Sequence, residues 1–214
     1  MQARVNRVDD FELTGTGAAA AWNRAEWLQV LPIRGISTHT TRVKIVCSVT
    51  GVYCLFDCED HLLTCTDLND FGDLFNQDVV EAFFWPDQTQ NLYFEYELSP
   101  LGAELPLIVS NHKGDFMGWR PWHYEGNRLC RRATAIRGGP KSPGATVTGW
   151  SAEFFVPFAL LYGLGNVHPT AGTIWRANFC RIDYDRNEQT LFAWSTSIAN
   201  NFHDFKQFGT LQFT

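Results

Sequence analysis

Acidic side chains are the residues of this sequence with the clearest capacity for chemistry. Glu81, Glu95 and Glu97 fall in two apolar, strand-like segments, and Glu153 falls in a third. Two such carboxylates could flank a glycosidic bond, one as the acid and the other as the base or nucleophile. Carboxylates on strands more often face solvent or pair with arginine, and sequence spacing sets no distance between them. Glycoside cleavage therefore stays open as one hypothesis.

Recognised catalytic and metal-binding motifs are missing from the sequence. It contains no Gly-rich phosphate loop, no H-E-x-x-H pair and no G-x-S-x-G turn. The six histidines lack ligand spacing, and the six cysteines form no C-x-x-C pair. Asp57, Glu59 and Asp60 cluster at a strand end, and oxygen-rich groups of this kind can hold calcium. We therefore expect no cofactor other than a structural calcium at those three residues.

Aromatic side chains are the second group that could bind a ligand. Phe, Trp and Tyr make up 14% of the residues, so they form either a large core or a stacking surface. Phe75 lies in a long acidic loop and Phe202 in a polar segment, and large apolar residues in polar loops favour ligand binding. Trp119 and Trp122, in an aromatic-rich segment, form a second candidate surface. For each of them, the alternative is a ring that folds back onto the core.

Charge and hydropathy exclude several function classes. The net charge is −6, and no basic patch points to nucleic-acid binding. No run of about 18 apolar residues predicts a membrane span, and the N-terminal segment 1–11 is polar, unlike a signal peptide. The six cysteines are expected to be buried free thiols, while their even number leaves disulfides open.

Short strands separated by turns must position these side chains. Period-2 alternation predicts a strand at 42–49, a turn at Thr50 and Gly51, and a partner strand at 52–58, which together form a hairpin. Apolar runs bounded by turn residues predict further strands at 79–85, 92–98, 129–136, 146–156, 173–182, 191–194 and 208–213.

Helical periodicity is scarce between these strands. Only 18–28 and 158–162 predict short helices, and 111–127 is expected to be irregular. Strands without regular helices between them favour a sandwich over a parallel α/β sheet. We therefore predict an all-β, immunoglobulin-like sandwich of antiparallel strands with one or two short helices, as a single domain over 1–214.

Several aromatic and acidic motifs follow one another along the chain. They are AAW at 20–22, VYCLFDCED at 52–60, FNQDVVEAFFWPD at 75–87, YFEYELSPLG at 93–102, GWSAEFFVPF at 149–158, WRANFCRID at 175–183, AWS at 193–195 and FHDFKQFGTLQF at 202–213. This succession, over about residues 9–213, resembles carbohydrate-binding module family 9. Q-D-x-V-E-x-F and the closing F-G-x-L are its most specific parts.

The resemblance implies an immunoglobulin-like β-sandwich that binds sugars and performs no catalysis. By motif position, Phe75 and Phe202 would enclose a terminal sugar ring between them. Glu81 would bind sugar hydroxyls, and Asn200 and Asn201 would supply amides. The chemistry is compatible, because a pyranose presents an apolar C–H face to aromatic rings and hydroxyls to carboxylates and amides.

The chain departs from the family at two places. Phe75 and Phe202 stand where sugar-binding members typically carry tryptophan, and Glu95 stands where some members carry a basic side chain. A phenylalanine ring offers a smaller face and no indole N–H. A different sugar, weaker binding or lost binding are the alternatives that follow.

Non-catalytic carbohydrate binding is the leading hypothesis, with a role in carbohydrate catabolism and a glycoside hydrolase as a partner. Haem binding on a related sandwich is an alternative, in which Met117, His112 and His123 would be the available axial ligands, although their spacing gives no support. The family resemblance points outside the cytoplasm, whereas six cysteines fit a reduced cytosol. Both compartments stay open.

Overall fold

Strands joined by turns and short 3₁₀ helices make up the computed structural model, which describes residues 1–113, 115–185, 188–195 and 201–214. The strands are β1 (Gln2–Arg7), β2 (Leu28–Gln29), β3 (Leu31–Arg34), β4 (Thr41–Cys47), β5 (Gly51–Cys58), β6 (Val79–Trp85), β7 (Leu92–Leu98), β8 (Glu104–His112), β9 (Asp115–Pro121), β10 (Arg131–Arg137), β11 (Gly149–Pro157), β12 (Ile174–Asp185), β13 (Glu188–Ala193) and β14 (Gly209–Phe213). The 3₁₀ helices are η1 (Ala20–Arg24), η2 (Leu74–Asn76), η3 (Gly126–Arg128), η4 (Phe158–Leu161) and η5 (Phe205–Gln207). Within these ranges, no helix is long and apolar enough to cross a membrane.

The strands form two sheets that share β1. Sheet one has the order β10-β11-β5-β4-β1, with β2 added to β4. Sheet two has the order β1-β14-β12-β6-β7-β8-β9, with β13 paired to β12 and β3 paired to β13. The sandwich prediction is confirmed, with one correction: β1 pairs in parallel with both β14 and β4, whereas the other strand pairs are antiparallel.

The predicted strands overlap β4 to β7 and β10 to β14, whereas β1, β2, β3, β8 and β9 have no predicted counterpart. Both short helices are present, as η1 and η4, and the 42–58 hairpin is β4–β5. The segment 111–127, expected to be irregular, contains the end of β8 and all of β9. Strand β9 is an edge strand whose residues are exposed or half-exposed, and Gly118 and Pro121 weaken its alternation, so its pattern is not typical of a strand.

Both faces of sheet two are covered, which explains why β6 is buried along its whole length and apolar except at Glu81. Val80 and Phe84 point into the core between the two sheets. Val79 and Phe83 point to the opposite, outer face, which is packed by the segment 202–208 and by other side chains. A polar residue at an odd-numbered position of β6 therefore lies on the outer face, beneath this covering layer.

A buried ion cluster, here called the aspartate cluster, links the two sheets. It consists of Arg181 with Asp60, Asp78 and Asp183. Nη2 of Arg181 lies 2.9 Å from Oδ2 of Asp60 and 2.9 Å from Oδ1 of Asp183. Asp78 accepts backbone N–H bonds from Thr64 at 2.6 Å and Tyr184 at 2.8 Å. The cluster carries its own cation, and buried carboxylates normally require one.

All six cysteines are buried free thiols, as expected. Burial raises the pKa of the Cys58 thiol to about 12. Burial also raises the pKa of Cys54 and Cys130 well above the ordinary value. These side chains are therefore protonated and behave as small apolar groups.

Candidate functional site

A cavity of about 440 Å³ opens on the outer face of sheet two. Its floor consists of three glutamates, here called the glutamate triad: Glu81, Glu95 and Glu97. Aromatic and aliphatic side chains form its walls, and polar side chains form its rim. The walls are Phe75, Leu107, Trp119, Ile182, Tyr184, Leu191 and Phe202, and the rim is Arg34, Asn76, Gln189, Asn201 and His203.

Strand pairing brings the triad together. Glu81 on β6 lies directly opposite Glu97 on β7. Glu95 lies two residues before Glu97, and side chains two residues apart on a strand point to the same face. One carboxylate oxygen from each residue lies within 4.8 Å of the others. The three side chains are 1–3% exposed.

The triad has no cation among the described residues that neutralises it. Oε2 of Glu95 and Oε2 of Glu97 are buried without a hydrogen-bond partner. Nδ1 of His203 lies 4.0 Å from Oε2 of Glu95, but it also lies 2.8 Å from the Tyr93 hydroxyl. Burial lowers the pKa of His203 to about 4, so this imidazole is neutral near pH 7. Arg34 is exposed at the rim.

Burial and mutual repulsion shift the titration of the triad. Burial raises the pKa of Glu95 to about 8. Burial raises the pKa of Glu81 well above its ordinary range, and the charge of Glu95 adds to the effect. The pKa of Glu97 rises well above its ordinary range for the same reason, with Glu81 and Glu95 as the nearest repelling charges. The triad therefore holds protons to unusually high pH unless a cation is bound.

The aromatic walls are fixed by contacts with the covering layer. Phe75, in η2, is half-buried, and its backbone carbonyl accepts a hydrogen bond from the Tyr184 hydroxyl at 3.3 Å. Phe202 packs edge-on against Phe83, with ring centroids 6.5 Å apart. Trp119 on β9 stands opposite Val109 on β8 and is half-buried. Three rings from three separate segments therefore share one cavity.

Most of the predicted site residues line this cavity. They are Phe75, Glu81, Glu95, Trp119, Asn201 and Phe202. Asn200 lies outside the described residues. Trp122 does not share a surface with Trp119: it packs against the core between the sheets, and its indole N–H donates to the Leu160 carbonyl at 2.8 Å. The expected second surface of paired tryptophans is therefore absent, because Trp119 and Trp122 face opposite sides of sheet two.

Sequence reasoning missed several lining residues, of which Glu97 is the most important. Glu97 was grouped with the other strand carboxylates and not assigned to the binding site. Its position two residues after Glu95 on a predicted strand was a usable signal, because period 2 places both on one face. His203, Tyr184 and Gln189 gave no comparable signal, since loops and turns bring them to the cavity.

The expected calcium ligands are not brought together. Asp57 is half-buried and pairs with Arg42 and Arg137, each at 2.8 Å. Glu59 is exposed and accepts the Thr40 backbone N–H at 2.9 Å. Asp60 points inward to the aspartate cluster. Alternation at the strand end sends these three carboxylates in different directions, so they do not form one site.

The residues considered for haem ligation also lie apart from the cavity. Met117 and His112 are exposed at the edge of sheet two. His123 stacks on Phe71, with ring centroids 4.0 Å apart. None of the three lines the cavity above the triad.

The structure is thus a β-sandwich in which one sheet face carries a cavity with aromatic walls and a carboxylate floor. No known family model matches the sequence. The chain is 32% identical over 89 residues to the UPF0462 protein C4orf33 homolog of Mus musculus. The aligned segment covers 42% of this chain and 37% of that protein, so the chain spans less than half of the relative.

Solved structures show the same fold over the whole chain. A candidate carbohydrate-binding protein from Bacteroides uniformis superposes with a TM-score of 0.80 at 16% identity, covering 100% of this chain and 99% of that one. A carbohydrate-binding module of family 9 from Caldicellulosiruptor kristjanssonii, in complex with cellotriose, gives 0.67 at 14% identity, covering 100% and 94%. The same organism's family 9 module in complex with glucose gives 0.64 at 15%, covering 99% and 95%. The resemblance to family 9 is confirmed as a likeness of fold.

Proposed function

We propose that this protein binds carbohydrate in the cavity on the outer face of sheet two. The observation that carries the proposal is the combination of rings and carboxyl groups in one cavity. Phe75, Trp119 and Phe202 offer apolar faces, and the triad below them offers hydrogen-bonding oxygens. A pyranose needs both, because its C–H face is apolar and its hydroxyl groups require polar partners. A cavity of about 440 Å³ accommodates a ligand of that size.

The structural neighbours support the same proposal. Two of them are family 9 modules described with cellotriose and with glucose, and they share the fold of nearly the whole chain. A fold alone does not define a ligand. The support for this chain therefore comes from its own cavity, together with that likeness. A glycoside hydrolase partner and a role in carbohydrate catabolism remain predictions.

Binding without catalysis is the activity that the triad favours. A glycosidase needs two carboxyl groups that flank the scissile bond. Glu81, Glu95 and Glu97 lie side by side on one sheet face, all below the ligand space. Glu153, the fourth strand carboxylate, lies on sheet one and accepts the Trp22 indole N–H at 2.6 Å. We therefore expect no turnover of a bound sugar.

Titration calorimetry with glucose, cellotriose and a panel of other mono- and disaccharides tests this function. Phe75→Ala should weaken binding by at least about fivefold, since one stacking contact contributes about 1 kcal/mol. Phe71→Ala is the matched control, because Phe71 is an exposed ring in the same loop that contacts His123 outside the cavity. Absence of binding to every saccharide at millimolar concentration, or equal binding by Phe75→Ala and the parent, would overturn the proposal.

A further inference from the structure

We infer that the bound sugar presents a positively charged amine to the glutamate triad, so that amino sugars are the preferred class of ligand. This inference rests on the proposed carbohydrate-binding function and makes it more specific. Glu81, Glu95 and Glu97 supply the acceptors, and the aromatic walls hold the ring that carries the amine.

No cation among the described residues neutralises the glutamate triad. Like charges directly opposite each other on paired strands are unfavourable, and Glu81 faces Glu97 in this way. Burial adds to the cost, because an uncompensated buried carboxylate loses its hydration. In the described part of the chain, the basic groups at the cavity are a neutral His203 and the exposed Arg34. Without a cation the triad stays protonated, as its raised pKa values indicate, and a cationic group on the ligand would stabilise its ionised form.

The number and spacing of acceptors fit an ammonium group. A primary ammonium has three N–H donors, and the triad offers one carboxylate oxygen from each of three residues within 4.8 Å of one another. Oε2 of Glu95 and Oε2 of Glu97 are buried with no other partner. A neutral hydroxyl could donate to one of these oxygens, but it would not offset the repulsion that opposes ionisation of the triad.

The walls favour an organic cation over a metal ion. Calcium takes six to eight oxygen ligands, whereas the walls next to the triad are mainly aromatic and aliphatic and the amides of Asn76, Gln189 and Asn201 lie at the rim. Phe75, Trp119 and Phe202 line the same cavity as the triad. Aromatic faces attract ammonium groups through cation–π contacts, and they also stack on sugar C–H faces. An amino sugar could therefore place its ring against the aromatic walls and its ammonium group against the glutamate triad.

Calorimetry with three matched sugars tests the inference near pH 6.5. Glucosamine carries the charged amine, N-acetylglucosamine keeps the nitrogen without the charge, and glucose has a hydroxyl in its place. We expect glucosamine to bind about tenfold or more tightly than the other two, because a charge-assisted hydrogen bond is about twice as strong as a neutral one. Glu97→Gln should remove most of that preference. Glu59→Gln, which alters an exposed glutamate outside the cavity, should keep it.

Each outcome of this experiment decides something. Equal binding of glucose and glucosamine would overturn the inference and leave the sugar-binding function standing. Absence of binding by any saccharide would overturn both. Titration with calcium or magnesium chloride, with a chelator-treated sample as the reference, forms a separate arm. Tight binding of the metal alone, abolished by Glu97→Gln, would overturn the amine in favour of a cation site.

Discussion

Two groups of three buried carboxylates lie on opposite faces of sheet two, and they differ in one respect. The aspartate cluster contains Arg181, whose guanidinium lies 2.9 Å from two of its carboxylates. Among the described residues, the glutamate triad has no charged partner, and two of its oxygens have no hydrogen bond. The first group is sealed between the sheets, whereas the second forms the floor of a cavity.

The comparison separates a structural role from a binding role for the same chemical groups. Arg181, the Trp150 indole N–H and the backbone N–H groups of Leu62, Thr64 and Tyr184 donate to Asp60 and Asp78, and the cluster ties β12 to the loop after β5. Oδ1 of Asp183 makes no hydrogen bond, but it lies 2.9 Å from the Arg181 guanidinium, which compensates its charge. The triad is left unsatisfied by the protein at a place a ligand can reach. Buried polar groups are normally satisfied, so an exception that lines a cavity indicates a binding site.

Removal of the internal cation should have the largest effect. Arg181→Met leaves three buried aspartates without a counter-ion, so the free energy of unfolding should fall by about 3–5 kcal/mol in urea denaturation. Arg42→Met is the control, because Arg42 makes a surface pair with Asp57 and should change stability by at most about 1 kcal/mol. A loss below about 1 kcal/mol for Arg181→Met would mean that the aspartate cluster is not an ion cluster of this kind.

Removal of a carboxyl group from the glutamate triad should stabilise the folded protein, whereas Arg181→Met should destabilise it. Glu97→Gln removes a buried carboxyl group whose ionisation burial and the neighbouring glutamates oppose, so the ligand-free variant should gain stability relative to the parent as the pH rises towards about 8. The gain should vanish near pH 5, where the raised pKa of Glu97 keeps the parent carboxyl protonated. Denaturation curves at both pH values measure this difference. Destabilisation of the variant near pH 8 would contradict the contrast between the two groups.

The pH dependence of the parent follows from the pKa of Glu95. Burial raises this pKa to about 8, above the ordinary value of about 4.3. The folded state therefore binds the proton more tightly than the unfolded state. The stability that this proton contributes is complete below about pH 4.3, and it is lost as pH rises towards about 8.

The groups that face Glu95 decide how the pH dependence is assigned. They are Glu81, Glu97, Tyr93, Cys180 and His203; burial raises the pKa of the first four and lowers that of His203 to about 4. Thermal unfolding should show a falling melting temperature between about pH 5 and about pH 8, and Glu95→Gln should flatten the curve. An unchanged slope in Glu95→Gln would assign the effect to other groups.

The two tryptophans should show the smallest effects and should separate binding from stability. Trp122→Phe removes the N–H that donates to the Leu160 carbonyl, so stability should fall by about 1 kcal/mol while sugar binding is unchanged. Trp119→Ala should weaken sugar binding and change stability less than it changes affinity, because Trp119 is half-buried at the cavity. Weaker sugar binding in Trp122→Phe, together with unchanged binding in Trp119→Ala, would contradict the assignment of Trp119 to the binding cavity and of Trp122 to the core.

The sequence predicted much of the fold because period-2 alternation and turn residues are local signals. Strands β6 and β7 were predicted with the bounds that the structure has, at 79–85 and 92–98. Strand β9 escaped prediction, since an exposed edge strand with Gly118 and Pro121 has no apolar alternation. The parallel pairing of β1 with β4 and β14 depends on strands distant in sequence, and no local pattern encodes it.

The candidate site was only partly accessible to sequence reasoning. Phe75 and Phe202 were selected from motif order, and both line the cavity. Trp122 was selected from local aromatic density, which does not distinguish the two faces of a strand. The grouping of Glu81 with Glu97 required the register between β6 and β7, and the absence of a cation beside them is a property of the folded chain alone.

The location of the bound sugar tests the central claim most directly. The indole N–H signals of Trp119 and Trp122 can be followed by ¹H–¹⁵N NMR during titration with glucosamine, with assignments from the Trp119→Phe and Trp122→Phe variants. We predict that the Trp119 signal shifts with saturation, that the Trp122 signal stays in place, and that Glu97→Gln weakens the response. A saturating shift of Trp122 alone, or shifts unaffected by Glu97→Gln, would contradict the account.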